Sequence, residues 1–472
     1  MSAHPLEEIL HPRAIAVVGA SNSGGRGGGF VAPLMELGFK GDIYPVNPKY
    51  SEIMGLKAYP RVRDIPGVVD YVISSIPAPQ VPAMIDDCVQ KGVKAVHLFT
   101  ARFSETGRKD AAELEQDILR RARSGGVRII GPNCMGLYYP REGISFNNGM
   151  PKESGPVGLA SQSGQAVGEI VFLADERGLR FSKAISYGNA LDFNECDYLE
   201  YFAQDPDTEI IMMYIEGVRD GSRFFDLLRS TTATKPVIIV KGGRGTSGTR
   251  ATASHTASLA GSMQVWETMV NQAGAVSAGD LEELVDLATG FYYLPPIKGR
   301  RVGVAGGSGG SSVLAADICE EAGLDVVPLP VEIREKLKAD GSPIWDWVGN
   351  PADFSIGYDD FNIGGMIQMM DEHDNFDLLI LFMSSPWFRG GDANTEKLIE
   401  EHMKRFNLED IKKPLLVVFQ ERGRGNASDP FMQKMVNEIK KRLMDASIPL
   451  YSNIGRAAST ANKPIDYYQK RK

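Results

Sequence analysis

The chain is poor in the residues that metal sites and disulfides need. It has four cysteines and six histidines in 472 residues, and Cys88, Cys134, Cys196 and Cys319 stand far apart, without a CxxC pair or a cluster of histidines. A disulfide framework and a zinc site are therefore not indicated, and reduced thiols are expected. Basic residues are also in the minority, with 51 Lys and Arg against 60 Asp and Glu and a formal net charge of −9. Neutralising nucleic-acid phosphates takes a basic face, which argues against a general nucleic-acid binder. A local pocket on an acidic protein can still take a small polyanion. Long apolar runs are missing too, and none approaches the ~18 residues of a membrane span. The opening MSAHPLEEILHPR holds acidic residues and neither an apolar core nor a small-residue cleavage site, so it does not read as a secretory signal. A cytoplasmic location is expected.

What is present is the balance of a globular protein, 43% hydrophobic and 24% charged. The length predicts about three units of roughly 150 residues. In the first, RAIAVVGAS reads as a strand entering a glycine-rich turn, followed by a helical FVAPLMELGFKG. DIYPVNP, VDYVISSIP, KAVHLFT and VRIIGPN read as further strands. NNGMPKESGP near residue 150 is turn-forming, and the pattern restarts with VGLASQSGQAVGEIVFLADERG, SKAISYG, EIIMMYIEG and KPVIIVKGG. YYLPPIKGRR near residue 296 precedes VGVAGGSGGSSVLAADICEEAG, FDLLILFMSS, KPLLVVFQE and a final helix. Alternating elements of this kind specify α/β domains with parallel sheets, whose ligands lie at the carboxyl ends of the strands. The expected division is 1–150, 151–296 and 297–472.

The turn GASNSGGRGGG, Gly19 to Gly29, lies between strand and helix, where backbone amides can approach an oxyanion. A nicotinamide dinucleotide would need a carboxylate at the end of the second strand, but Asn47, Pro48 and Lys49 stand there. A lysine suits a ribose that carries a phosphate, as in coenzyme A; a tight turn without a ligand is the other reading. His255 sits in KGGRGTSGTRATASHTASLAG, a long Gly, Ser and Thr-rich loop. It is either a structural residue or a nucleophile that takes a phosphoryl group from an acyl phosphate. The second role needs an acceptor to orient the ring and amides to hold the anion. Glu216, at a strand end in MMYIEGVRDG, suits the first need unless it is a solvated carboxylate. The turn SQSGQ, Ser161 to Gln165, suits the second unless it is an ordinary helix cap. GGSGG, Gly306 to Gly310, fits a serine-hydrolase elbow, but the downstream histidines are only His373 and His402, and His402 lies in a charged helical segment.

VVGAS, IYPVNPK, IIGPNCMG, ASQSG, SYGNALDFNECDYLEYFAQDP, YIEG and SHTASLAG occur in an order that resembles the nucleoside-diphosphate-forming acyl-CoA synthetases. The α part of that family resembles the α subunit of succinyl-CoA synthetase with one more domain, here matched by AGGSGGSSVLAAD and GNPADF. The resemblance implies a Rossmann-like CoA-binding domain followed by two flavodoxin-like domains, and an ADP-forming acid–thiol ligase. By the same resemblance His255 is the phosphorylated histidine and Glu216 its steadying carboxylate, with Ser161, Ser163, Gly164 and Gln165 at the phosphate site. Coenzyme A is implied at Gly19, Ser21, Asn22, Ser23, Gly24, Lys49, Phe99, Thr100, Ala101 and Asn133. Two departures bear on loop geometry and substrate preference: Ala257 stands where the family commonly has glycine, and TARFSE replaces a glycine-bearing GF.E pattern. Neither an ATP-grasp domain nor a Walker lysine motif is recognisable in the sequence. A separate ATP-grasp β subunit carrying ADP or ATP with Mg2+ is therefore expected, in a heterotetramer. A CoA-binding scaffold subunit without turnover is the non-enzymatic alternative.

Overall fold

A computed structural model of the chain describes residues 4–22, 29–248, 262–307, 309–353, 363–384, 400, 408–420 and 430–471. The chain divides into two compact units, Met1–Val285 and Asp286–Lys472. The first holds two main sheets. Strands β1 (Ala14–Val18) and β2 (Asp42–Val46) come first, followed by a short hairpin of β3 (Glu52–Ile53) and β4 (Leu56–Lys57). Strands β5 (Tyr71–Ser74), β6 (Ala95–Leu98) and β7 (Arg128–Ile130) complete a five-stranded parallel sheet of order β2-β1-β5-β6-β7. The strands AIAVV, YVIS and AVHL are buried throughout, as expected of a sheet covered by helices on both faces.

The second sheet takes its edge strand from ahead of the turn-rich stretch near residue 150. Strand β8 (Gly136–Tyr138) pairs antiparallel with β10 (Phe181–Ser186), which pairs with β9 (Val157–Ser161). Strands β11 (Ile210–Ile215), β12 (Val237–Lys241) and β13 (Val276–Ala278) extend the sheet in the order β13-β12-β11-β9-β10-β8. The helices between are closed by side chains placed in sequence for it. Ser163 accepts from Ala166 N at the start of Gly164–Asp175, and Asn194 with Asp197 forms a capping box on Glu195–Gln204.

The second unit is a four-stranded parallel sheet, β14 (Val302–Gly306), β15 (Leu378–Ser384), β16 (Leu415–Gln420) and β17 (Leu450–Tyr451), in sequential order. Alternate residues supply separate cores. Leu378, Ile380, Leu416 and Val418 pack with Ala457 and Ala461, while Leu379, Leu381, Val417 and Phe419 pack with Met366 and Ile439. Period two in an apolar run covered on both faces accounts for this split. The unit ends in two helices, Pro430–Asp445 and Ile454–Gln469, separated by β17. The single final helix expected from sequence is thus two. Among the described residues no helix is long and apolar enough to cross a membrane.

Candidate active site

Both sheets of the first unit reverse strand order beside the first of their parallel strands, and crevices open at the carboxyl ends of such switch points. In the first sheet the switch lies between β1 and β5. Gly19 follows β1 with φ 91°, and its amide donates to Val46 O at 3.0 Å. A Cβ there would lie 2.7 Å from Ser75 Oγ, just beyond β5, so the close approach needs glycine. Asn47 donates from Nδ2 to Ala20 O at 2.8 Å and accepts Lys49 N at 3.0 Å, which sets Lys49 on the exposed rim after β2. Asn22 accepts Met54 N at 2.9 Å and thereby ties the loop to the β3–β4 hairpin. Ser23 and Gly24 lie outside the described residues.

In the second sheet the switch lies between β9 and β11, where Ser161 stands opposite Tyr214. The hydroxyl of Ser161 is fully buried, donates to Ser163 O at 2.8 Å and accepts Ser163 N at 3.2 Å. It therefore shapes the turn from beneath, whereas Ser163, Gly164 and Gln165 line a cavity of about 780 Å3. Phe99, Thr100, Ala101 and Asn133 line the same cavity, with Ser75 to Pro79, Arg102 and Arg108. Seven residues singled out from sequence thus meet around one space. Thr100 Oγ1 donates to Ile76 O at 2.7 Å, Asn133 N donates to Thr100 O at 3.0 Å, and Asn133 adopts φ 58°. His97 is buried beneath this wall. Burial holds its pKa down to about 4, and Nε2 donates to Cys134 O at 3.0 Å, so it serves as a neutral support.

Glu216 is buried directly after β11. Its backbone is clamped by Gln162, whose Oε1 accepts from Glu216 N and from Gly217 N, the latter at 2.9 Å. Lys241, at the end of β12, donates from Nζ to Glu216 O and Gly242 O, both at 2.6 Å. The Tyr214 phenol lies beside the Glu216 carboxylate; burial first and that charge second push it up to about 12. Gly242 lies so close that a Cβ would fall 2.7 Å from the Tyr214 hydroxyl and 3.1 Å from Glu216 Cγ. Gln162, Tyr214 and Lys241 were not singled out from sequence. The available signal was a glutamine between two serines at a strand end, SQSGQ.

His255 lies outside the described residues. The segment that carries it leaves the carboxyl end of β12 after Gly248 and rejoins at Ser262, ahead of helix Met263–Gln272. Trp266 of that helix stacks with Phe224 and lies 5.8 Å from Lys241 Nζ. The four cysteines are free and buried. Among the described residues no group of three His, Cys, Asp or Glu side chains could hold a metal ion. In the second unit Gly306 and Gly307 make a left-handed turn with φ 98° and 89°; Ser308 and His402 lie outside the described residues. His373 sits 3.6 Å from Glu332.

Residues 13–140 match the family model described as a CoA binding domain, and residues 154–291 the succinyl-CoA ligase like flavodoxin domain. The chain is 34% identical over 459 residues to the acetate–CoA ligase [ADP-forming] II subunit alpha of Pyrococcus furiosus, covering 97% of this chain and 96% of that one. It is 38% identical over 352 residues to the acetate–CoA ligase [ADP-forming] of Methanocaldococcus jannaschii, covering 74% of this chain but 49% of the relative. Among solved structures it resembles the dinucleotide forming acetyl-coenzyme A synthetase 1 of Ca. Korarchaeum cryptofilum in complex with phosphate and ADP, with 31% identity and a TM-score of 0.79 over 99% of this chain and 97% of that one. The hydrolase reading of GGSGG gives way to this kinship, and the chain belongs to the ADP-forming acyl-CoA ligases, on the α-subunit side of that family.

Proposed function

We propose that this chain, with a separate β subunit of ATP-grasp architecture, interconverts acyl-CoA, ADP and phosphate with free acid, CoA and ATP. The observation that carries the reading is the meeting of the β6 turn, Asn133 and the Ser163–Gln165 turn around one cavity. A thioester held along the first sheet then presents its carbonyl to amides at the start of helix Gly164–Asp175, where anions are favoured. Support for a second polypeptide comes from the comparisons: the chain spans nearly all of a relative called subunit alpha and about half of a relative that is a single longer chain. The nucleotide and its Mg2+ are assigned to that partner, and the assembly to a heterotetramer.

The chemistry divides into three displacements. An oxygen of inorganic phosphate attacks the thioester carbonyl carbon, the C–S bond breaks, and the sulfur leaves as the thiol after taking a proton. A ring nitrogen of His255 then attacks phosphorus, the P–O bond to the acyl group breaks, and the acid departs as its carboxylate. Last, the terminal phosphate oxygen of ADP attacks, the N–P bond breaks and the imidazole is restored. Glu216, fixed through Gln162, Lys241 and Tyr214, accepts from the other ring nitrogen and steadies the charged ring. Carrying the group between two subunits requires His255 to meet both half-sites in turn.

The test is chemical. Incubating the chain with acyl phosphate, or with acyl-CoA and phosphate, is expected to give acid-labile phosphate on His255. His255→Ala should lower turnover of the complex by about 10^4-fold or more. An active complex without phosphohistidine would reject the mechanism, and unchanged activity in His255→Ala would favour a scaffold role.

A further inference from the structure

The turn after β10 has no part in the proposed chemistry, yet four other segments of the first unit meet on one of its residues. Asn189 is buried, and all of its polar groups face partners. Its N–H donates to Pro132 O at 3.0 Å, and its carbonyl accepts from Arg219 Nη2 at 2.7 Å. Its Nδ2 donates to Glu105 Oε2 at 2.7 Å and to Glu115 Oε1 at 3.1 Å, while its Oδ1 faces Asn133 Nδ2 at 3.5 Å. Glu105 in turn accepts from Arg102 N, and from Phe103 N at 3.0 Å. The amide therefore stands one bond behind the turn through which Arg102 lines the cavity, and directly behind Asn133, which lines it too. Arg219 lies three residues beyond Glu216, and its N donates to the buried Glu195 at 2.6 Å.

Arg102, Asn133 and Ala190 adopt φ 80°, 58° and 54°, left-handed positions that residues with a side chain enter at a cost. Such conformations persist only where the surroundings over-determine them. All three adjoin Asn189 or are held through its partners. The carboxylates it bridges would otherwise repel each other: burial first, and the Glu105 charge with it, raises the Glu115 pKa, and the Asn189 amide opposes that rise. Side chain and main chain divide the work. The amide holds the cavity wall, whereas the carbonyl holds the turn behind Glu216. We infer that Asn189 is a positioning residue for the acyl half of the reaction, its amide setting the wall at Arg102 and Asn133 against which the thioester reacts. The inference rests on the ligase reading above and assigns to that site a residue that stands behind it.

The experiment follows phosphorylation of His255 in the complex with its β subunit from two donors. One is ATP with Mg2+, and the other is phosphate with whichever of acetyl-, butyryl- and phenylacetyl-CoA wild type turns over fastest. Asn189→Ala removes the amide and keeps the carbonyl. It should slow phosphorylation from the thioester by about ten- to a hundredfold, the loss of a hydrogen bond to charged partners, and leave phosphorylation from ATP within about twofold. The fall should lie in the rate at saturating thioester rather than in its KM. Asn189→Asp keeps the shape but sets a carboxyl before Glu105 and Glu115, with Arg219 the cation acting on that group. Only its protonated form can donate in place of the amide, so its thioester-driven rate relative to wild type should rise about tenfold or more from pH 8 to pH 5.5. An equal fall for both donors in Asn189→Ala overturns the proposal and makes the residue part of the general fold. An unchanged thioester rate overturns it too, as does an Asn189→Asp ratio that does not rise on acidification. In those cases the ligase reading stands, whereas a wild-type complex that phosphorylates His255 from neither donor removes both.

Discussion

Two turns at the carboxyl ends of one sheet's strands have nearly the same φ and opposite occupants. After β1, Gly19 has φ 91°; after β6, Arg102 has φ 80°. At Gly19 the space beside the Cα is already taken by Ser75 Oγ, 2.7 Å from where a Cβ would be, so the absence of a side chain is what the site needs. At Arg102 a glycine would serve the backbone better, yet one of the longest side chains stands there beside a cavity. A left-handed turn therefore carries different information according to what fills it. Glycine reports a close approach of main chain, and arginine reports a side chain that the molecule keeps despite the backbone.

The largest effect expected from this contrast is at Gly19. Gly19→Val combines an unfavourable φ with a contact no Cβ tolerates, and should destabilise the first unit by about 3 kcal/mol. CoA binding measured by calorimetry should be lost with it; retention of both stability and binding would mean the turn has another shape. An intermediate effect concerns the anchor that keeps the two sheets in register around the cavity. Asp192, on the segment after β10, accepts from Arg123, Arg128 and Ile129 N, at 2.8, 2.8 and 3.0 Å. Burial alone would raise its pKa, but the Arg128 guanidinium, the Ile129 amide and Arg123 together hold it below the usual carboxylate value. A carboxylate depressed in the folded state adds stability that is complete above the unfolded value of about 4 and is lost as pH falls through the folded value. Asp192→Asn should cost about 2–3 kcal/mol at neutral pH and flatten the stability curve below about pH 4. Urea midpoints across pH 2.5 to 7 check both. The smallest effect is at Arg102, where Arg102→Gly should relieve the strained turn and raise the thermal midpoint by the equivalent of about 1 kcal/mol. A fall would show that the guanidinium holds the turn together.

The sequence carried the strands well because each parallel strand is a short apolar run between turn-forming residues, as VVGAS, YIEG and KPVIIVKGG illustrate. It carried the cavity wall partly: Phe99 to Ala101, Asn133 and Ser163 to Gln165 are strand-end residues, and strand ends are where such folds bind. That they share one space depends on pairings between residues dozens of positions apart, to which no local pattern is sensitive. The brief β8 and β17 fell below any periodic signal at three and two residues. Ser161 looks from sequence like its neighbours Ser163 and Gln165, and only the fold turns its hydroxyl inward. Gln162 is legible only once Glu216 N and Gly217 N are seen to need an acceptor. Arg102 was visible only as a departure from a glycine-bearing pattern, in TARFSE, and its left-handed backbone was not legible, since no propensity places arginine at such a turn.

The antiparallel strand Gly136–Tyr138 has a consequence for anyone dissecting the molecule. It belongs in chain order to the segment matched as a CoA binding domain, yet it hydrogen-bonds to Phe181–Ser186 in the neighbouring sheet. Cutting at the inviting glycine and proline-rich stretch near residue 150 would strip that sheet of its border and bare a row of unpaired amides and carbonyls, an invitation to stick to other chains. The two halves of the first unit are sewn by a shared selvedge, and a soluble fragment has to carry the thread from both sides.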